Sequence, residues 1–142
     1  MITRRTFLKA CAATPLVATL PLVATATAVI PFPLTASKTK KRLVPGDGYQ
    51  DASVWAFNRS VPGPELRFKK GETLSVDFLN QLDEGSTVHW HGIRNINAMD
   101  GVPGVTQPEV MTDGQFRYEF PLRDSGTYWY HSHAKTWSQV AR

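Results

Sequence analysis

The stretch Gly71–Leu82, GETLSVDFLNQL, decides the fold class. After the turn signal Gly71-Glu72, Leu74, Val76 and Phe78 alternate with Thr73, Ser75 and Asp77. A period of two puts the apolar set on one face and the polar set on the other, which marks a half-buried strand. Upstream, Ser53–Asn58 is short and aromatic, Val61-Pro62-Gly63-Pro64 forms a turn, and Glu65–Phe68 resumes an extended run. Downstream, Thr87–Gly92, Gln115–Phe120 and Gly126–His133 are further strand candidates. Asn95–Gln115 reads as a long loop punctuated by Gly101, Pro103, Gly104, Pro108 and Gly114. No segment carries a helical period. Short strands between Gly/Pro turns predict an all-β sandwich or barrel.

The amino-terminal part reads differently. A basic segment, Met1–Lys9, precedes an Ala- and Thr-rich apolar stretch, Ala10–Ile30, broken by Pro15 and Pro21. That stretch is too weakly apolar for a stable membrane span and reads as a cleavable export signal. Ala26-Thr27-Ala28 has the small-x-small form of a cleavage site, with cleavage as late as residue 36 as the outer limit. Thr3-Arg4-Arg5-Thr6-Phe7-Leu8-Lys9 resembles the twin-arginine export signal, which implies the twin-arginine machinery as a partner and a periplasmic destination. Residues 29–48 are expected to be a linker, with Lys38–Arg42 a solvated basic spacer.

Three of the sixteen basic side chains lie in the first nine residues, and no acid precedes Asp47. Beyond the leader the charge is nearly balanced, so no nucleic-acid footprint exists. The single cysteine, Cys11, falls inside the leader. A mature chain would hold no disulfide, no thiol nucleophile and no cysteinate ligand.

All four histidines fall in two His-x-His pairs, His89-Trp90-His91 and His131-Ser132-His133. On a strand, residues i and i+2 face the same side. Each pair therefore projects two imidazoles from one face while Trp90 and Ser132 point the other way. If the strands are neighbours, four nitrogen ligands converge. Such a set suits copper, zinc or iron rather than magnesium or calcium, and a closed tetrahedral zinc site is the rival to copper.

His89-Trp90-His91-Gly92 and Tyr128-Trp129-Tyr130-His131-Ser132-His133 resemble the first two copper motifs of the multicopper oxidases, the family of laccases and copper-resistance oxidases. Met99-Asp100-Gly101-Val102-Pro103-Gly104, Gln107-Pro108, Asn58–Pro64 and Gly71-Glu72 match further family segments in order. The resemblance implies a cupredoxin-like Greek-key β-sandwich over residues 49–142, the N-terminal plastocyanin-like domain, preceded by the signal peptide, 1–28. It implies His89 as a type 2 copper ligand, His91 and His131 as ligands of one type 3 copper, and His133 as a ligand of the other. Asp100 resembles the loop carboxylate that tunes water and protons beside the cluster, with Asx-turn capping beside Gly101 as the alternative. Trp90 and Trp129 are expected to be core aromatics.

A family enzyme oxidises a phenolic or metal-ion substrate and reduces dioxygen to water, using eight histidines and a Cys/His type 1 copper. This sequence supplies four of those histidines and ends nine residues after His133. The chain is therefore expected to be incomplete at its C-terminal end and inactive alone. A stand-alone copper-sequestering module and one half of a split oxidase are the alternatives.

Overall fold

The computed structural model describes residues 29–141; the leader, 1–28, lies outside the described residues. Six strands dominate: β1 (Phe32–Lys41), β2 (Ala52–Phe57), β3 (Thr73–Asn80), β4 (His89–His91), β5 (Gln115–Pro121) and β6 (Trp129–His131). A 3₁₀ turn, Asn97–Met99, and a one-turn helix α1, Thr136–Gln139, complete the set. Among the described residues no helix is long and apolar enough to cross a membrane. The all-β expectation holds, and Glu65–Phe68, expected to be extended, joins no strand.

The strands form a four-stranded sheet, β2-β1-β3-β5, and a two-stranded ribbon, β4-β6. The alternation in β3 does what its period requires: Leu74, Val76 and Phe78 are buried, opposite Phe120, Tyr118 and Phe116 of antiparallel β5. The ribbon lays its inner side over this sheet. Trp90 meets Tyr118 at 5.5 Å and Phe120 at 5.8 Å between ring centroids, and Tyr130 meets Phe57 at 5.3 Å. Burying these rings together supplies the main apolar driving force that holds the ribbon on the sheet.

One expectation needs correction. Residues 29–48 are not a linker, because β1 runs through them and sits inside the sheet. The sheet is mixed, since β1 pairs with β3 in parallel. The strand changes partner midway: Phe32–Ala36 pair with β3, and Ala36–Lys41 pair with β2. Leu34 and Ala36 are buried in the first half, whereas Ser37 and Thr39 are buried in the second, so the inward phase slips by one residue. On the open side of the first half, the Asn58 side chain stands in for a strand. Its Oδ1 accepts from Thr35 N–H at 2.7 Å, and its amide donates to the Pro33 carbonyl at 2.9 Å.

Candidate metal centre

β4 and β6 pair antiparallel with His89 opposite His131 and His91 opposite Trp129. Their inner face carries the core aromatics Trp90 and Tyr130, so the period of two delivers the imidazoles to the outer face. One donor atom from each of His89, His91 and His131 lies within 4.8 Å of the others. His133 flanks that group, its ring centroid 5.1 Å from that of His89 and 6.0 Å from that of His131. All four expected ligands are thus brought together, as three plus one.

Backbone carbonyls fix two of the rings. His89 Nδ1 lies 2.7 Å from the Asp100 carbonyl, and His131 Nδ1 lies 2.7 Å from the Ser132 carbonyl. A carbonyl can only accept, so each Nδ1 carries the proton and each Nε2 is left with its lone pair. His131 Nε2 then faces His91 Nδ1 at 3.4 Å. Two metal–nitrogen bonds of about 2.0–2.1 Å at a tetrahedral angle span about 3.3–3.4 Å, so the donor spacing fits one shared ion. Burial holds the His131 imidazole below its ordinary pKa; the Ser132 carbonyl opposes this, and the three neighbouring imidazoles add to it. The neutral form favoured by burial is the form that ligates.

The loop carrying Asp100 is pressed against β4. A Cβ on Gly101 would fall 1.8 Å from the Val88 carbonyl oxygen, and its φ is +75°. Only glycine allows that approach, which is what brings the Asp100 carbonyl onto His89. The Asp100 carboxylate is 3.6 Å from His89 Nδ1. The backbone of Asp100 therefore orients the ring, while its side chain stands beside it.

Trp90 is a core aromatic, as expected, and Trp129 is not. It is 51% exposed and stacks on the outer face against His131 at 4.1 Å and 25°, and against His91 at 4.9 Å and 28°. Its position was available from parity alone, since 129, 131 and 133 share one side of a strand. The four imidazoles and Trp129 line an open hollow of about 470 Å³ closed on one side by Thr136, Trp137 and Val140. Nothing in the sequence pattern marked this second wall, because one helical turn is too short to show a period.

The multicopper oxidase family model matches residues 38–142. The copper resistance protein A homolog of Pseudomonas syringae pv. tomato is 36% identical over 92% of this chain and 24% of its own length. Laccase-1 of Cryptococcus neoformans is 46% identical over 61% of this chain and 14% of its own length. Among solved structures, a multi-copper oxidase from Pseudomonas thermotolerans superposes with a TM-score of 0.75 at 40% identity, covering 82% of this chain and 28% of that one. Lac15 from a marine microbial metagenome gives 0.74 at 47% identity, over 79% and 30%. The chain spans about a quarter or less of the length of these curated relatives. With the family model covering β2 to β6 and every histidine, the chain belongs to the multicopper oxidase family, whose cofactor is copper.

Proposed function

We propose that this chain is the N-terminal copper-binding domain of a multicopper oxidase that oxidises phenolic or metal-ion substrates and reduces dioxygen to water. The observation that carries the reading is the 3.4 Å spacing of His91 Nδ1 and His131 Nε2 within a group that also includes His89. His91 and His131 ligate one type 3 copper, His133 the other, and His89 the type 2 copper. The 3.4 Å spacing supports one ion shared by His91 and His131, and the place of His133 outside the group of three donors supports a separate copper for it. These four ligands are half of a trinuclear site, and the type 1 copper and the remaining ligands lie outside residues 1–142.

Copper bound here supplies one-electron redox chemistry and the affinity for dioxygen. The chain's own residues hold the donors in place. The Asp100 and Ser132 carbonyls keep the protons of His89 and His131 on Nδ1, leaving Nε2 free to ligate. The Asp100 carboxylate is near enough to His89 to take up and release protons at the cluster. The basic, apolar and small-residue order of Met1–Ala28 supports export through the twin-arginine route to the periplasm.

Titration of the folded chain with Cu(II), followed by electron paramagnetic resonance, tests the reading. Nitrogen hyperfine structure and preference for Cu(II) over Zn(II) are expected. An oxygen-only signal, or uptake that survives loss of all four histidines, rejects it.

A further inference from the structure

Behind the imidazoles, on the side that Ser132 faces, sits a buried polar knot. Gln139 of α1 is only 7% exposed, and its amide is fully used. Its Oε1 accepts from the Ser132 hydroxyl at 2.5 Å and from the Ser86 hydroxyl at 2.9 Å. Its Nε2 donates to the Gly85 carbonyl at 2.8 Å and to Glu84 Oε1 at 2.9 Å. Four bonds satisfy everything a glutamine amide can make, and a buried amide is kept only when it is so satisfied. The knot joins the segment leading into β4 to the residue between His131 and His133.

We propose that Gln139 is a positioning residue for the histidine cluster. Its amide, acting through the Ser132 hydroxyl, fixes the Ser132 peptide, whose carbonyl sets the His131 tautomer and hence the nitrogen presented to His91. Each link is a bond already described: Gln139 to the Ser132 hydroxyl, the Ser132 carbonyl to His131 Nδ1 at 2.7 Å, and His131 Nε2 to His91 Nδ1 at 3.4 Å. Without the amide the Ser132 hydroxyl loses its shortest contact and keeps only longer ones, to the Ser86 hydroxyl at 3.2 Å and to the Ala134 N–H at 3.3 Å and carbonyl at 3.5 Å, so the peptide beside it is held less firmly. An imidazole whose partner carbonyl turns away populates both tautomers, and one of them closes Nε2 to metal. The same helix walls the hollow with Thr136, Trp137 and Val140. One turn of helix therefore shapes the site from the front and locks it from behind. The consequence for copper rests on the function proposed above; the consequence for the ring does not.

The test is nitrogen-edited NMR of the histidine-labelled, metal-free full chain at a pH where the imidazoles are neutral. The unaltered protein should show His131 as a single Nδ1–H tautomer. Gln139→Met and Ser132→Ala should both show a mixture, with faster exchange of the ring proton. Tyr118→Phe removes a buried hydroxyl outside the knot, so it should lower the melting temperature yet leave the His131 tautomer single. Should Gln139→Met fail to fold, Ser132→Ala, which deletes one oxygen, carries the test. A single Nδ1–H tautomer in the folded variants overturns the proposal, as does a mixture in Tyr118→Phe equal to that in Ser132→Ala. On adding Cu(II), affinity should fall on the order of ten-fold in Gln139→Met. A chain that shows the tautomer pattern but takes up no Cu(II) refutes the copper reading and leaves the positioning role standing.

Discussion

His91 Nδ1 lies 3.4 Å from His131 Nε2, although the two residues are not cross-strand partners. His131 stands opposite His89, and His91 stands opposite Trp129, so the contact runs diagonally across the ribbon. A diagonal pair is reached only by side chains long enough to lean toward each other. The two rings lean to within the span of one ion.

On the proposal that they share one ion, His91→Ala and His131→Ala should not act independently. Each alone should weaken Cu(II) binding by at least about ten-fold, or about 1.4 kcal/mol. The double variant should lose clearly less than the sum of the two. Calorimetric titration of the four proteins checks this, and strictly additive losses would separate the two residues into different sites.

Trp129 covers both of those rings and little else. Trp129→Phe should keep most of the stacking, whereas Trp129→Ala should give up about 0.5–1.5 kcal/mol of ring contact. Global stability should change little in either, since the side chain is half exposed. Cu(II) should quench tryptophan fluorescence in the unaltered chain and much less in Trp129→Phe. Equal quenching in both would mean that the metal sits elsewhere.

Tyr118 is buried, accepts the Val88 N–H at 2.9 Å, and burial pushes its phenol up to about 12. The folded value lies above the ordinary one near 10, so its contribution is complete below pH 10 and drains away as pH rises toward 12. The loss from this residue is about 2–3 kcal/mol. Tyr130, half-buried and also raised to about 12, acts in the same direction. Tyr118→Phe should cost about 1–3 kcal/mol at neutral pH by orphaning the Val88 N–H. It should also flatten the alkaline slope seen in urea unfolding, and an unchanged slope would refute the assignment.

A chain beginning at Ser37 would lack Phe32–Ala36, the whole parallel ladder to β3. Losing Leu34, which is fully buried, costs about 2–5 kcal/mol through its cavity alone. That chain should fail to fold cooperatively, whereas one beginning at Val29 should fold. Circular dichroism melts distinguish the two.

Gly101→Ala should displace the loop, because its methyl meets the Val88 carbonyl at 1.8 Å and its φ is left-handed. The backbone alone costs about 1–2 kcal/mol. Release of the Asp100 carbonyl should also weaken Cu(II) binding. A variant with native metal affinity would show that this carbonyl does not orient His89.

The sequence reading was strongest where periodicity and chemistry coincide. Leu74, Val76 and Phe78 announce β3, and two His-x-His pairs announce both strands of the ribbon. It failed on β1, for a reason visible in the burial pattern. Leu34 and Ala36 keep one phase and Ser37 and Thr39 the other, so no single alternation runs through the strand. Lys38, Lys40 and Lys41 then make its second half look like a solvated spacer. Trp129 has the parity of His131, which puts it on the outer face with the imidazoles and not in the core. Gln139 carries no periodic signal, since three of its four partners, Ser86, Glu84 and Gly85, lie more than fifty residues away and only Ser132 is near in sequence.

The place of β1 has a mechanical consequence. The first strand among the described residues is not at an edge but between β2 and β3. A motor or protease that pulls on the chain from that end pulls along the strand axis, sliding β1 past its neighbours. Its ladder bonds then resist together, in shear, instead of opening one after another as in a peeled hairpin. Drawn from this side, the domain resists as a bolt does in its housing, and gives way only when the middle of the sheet is torn.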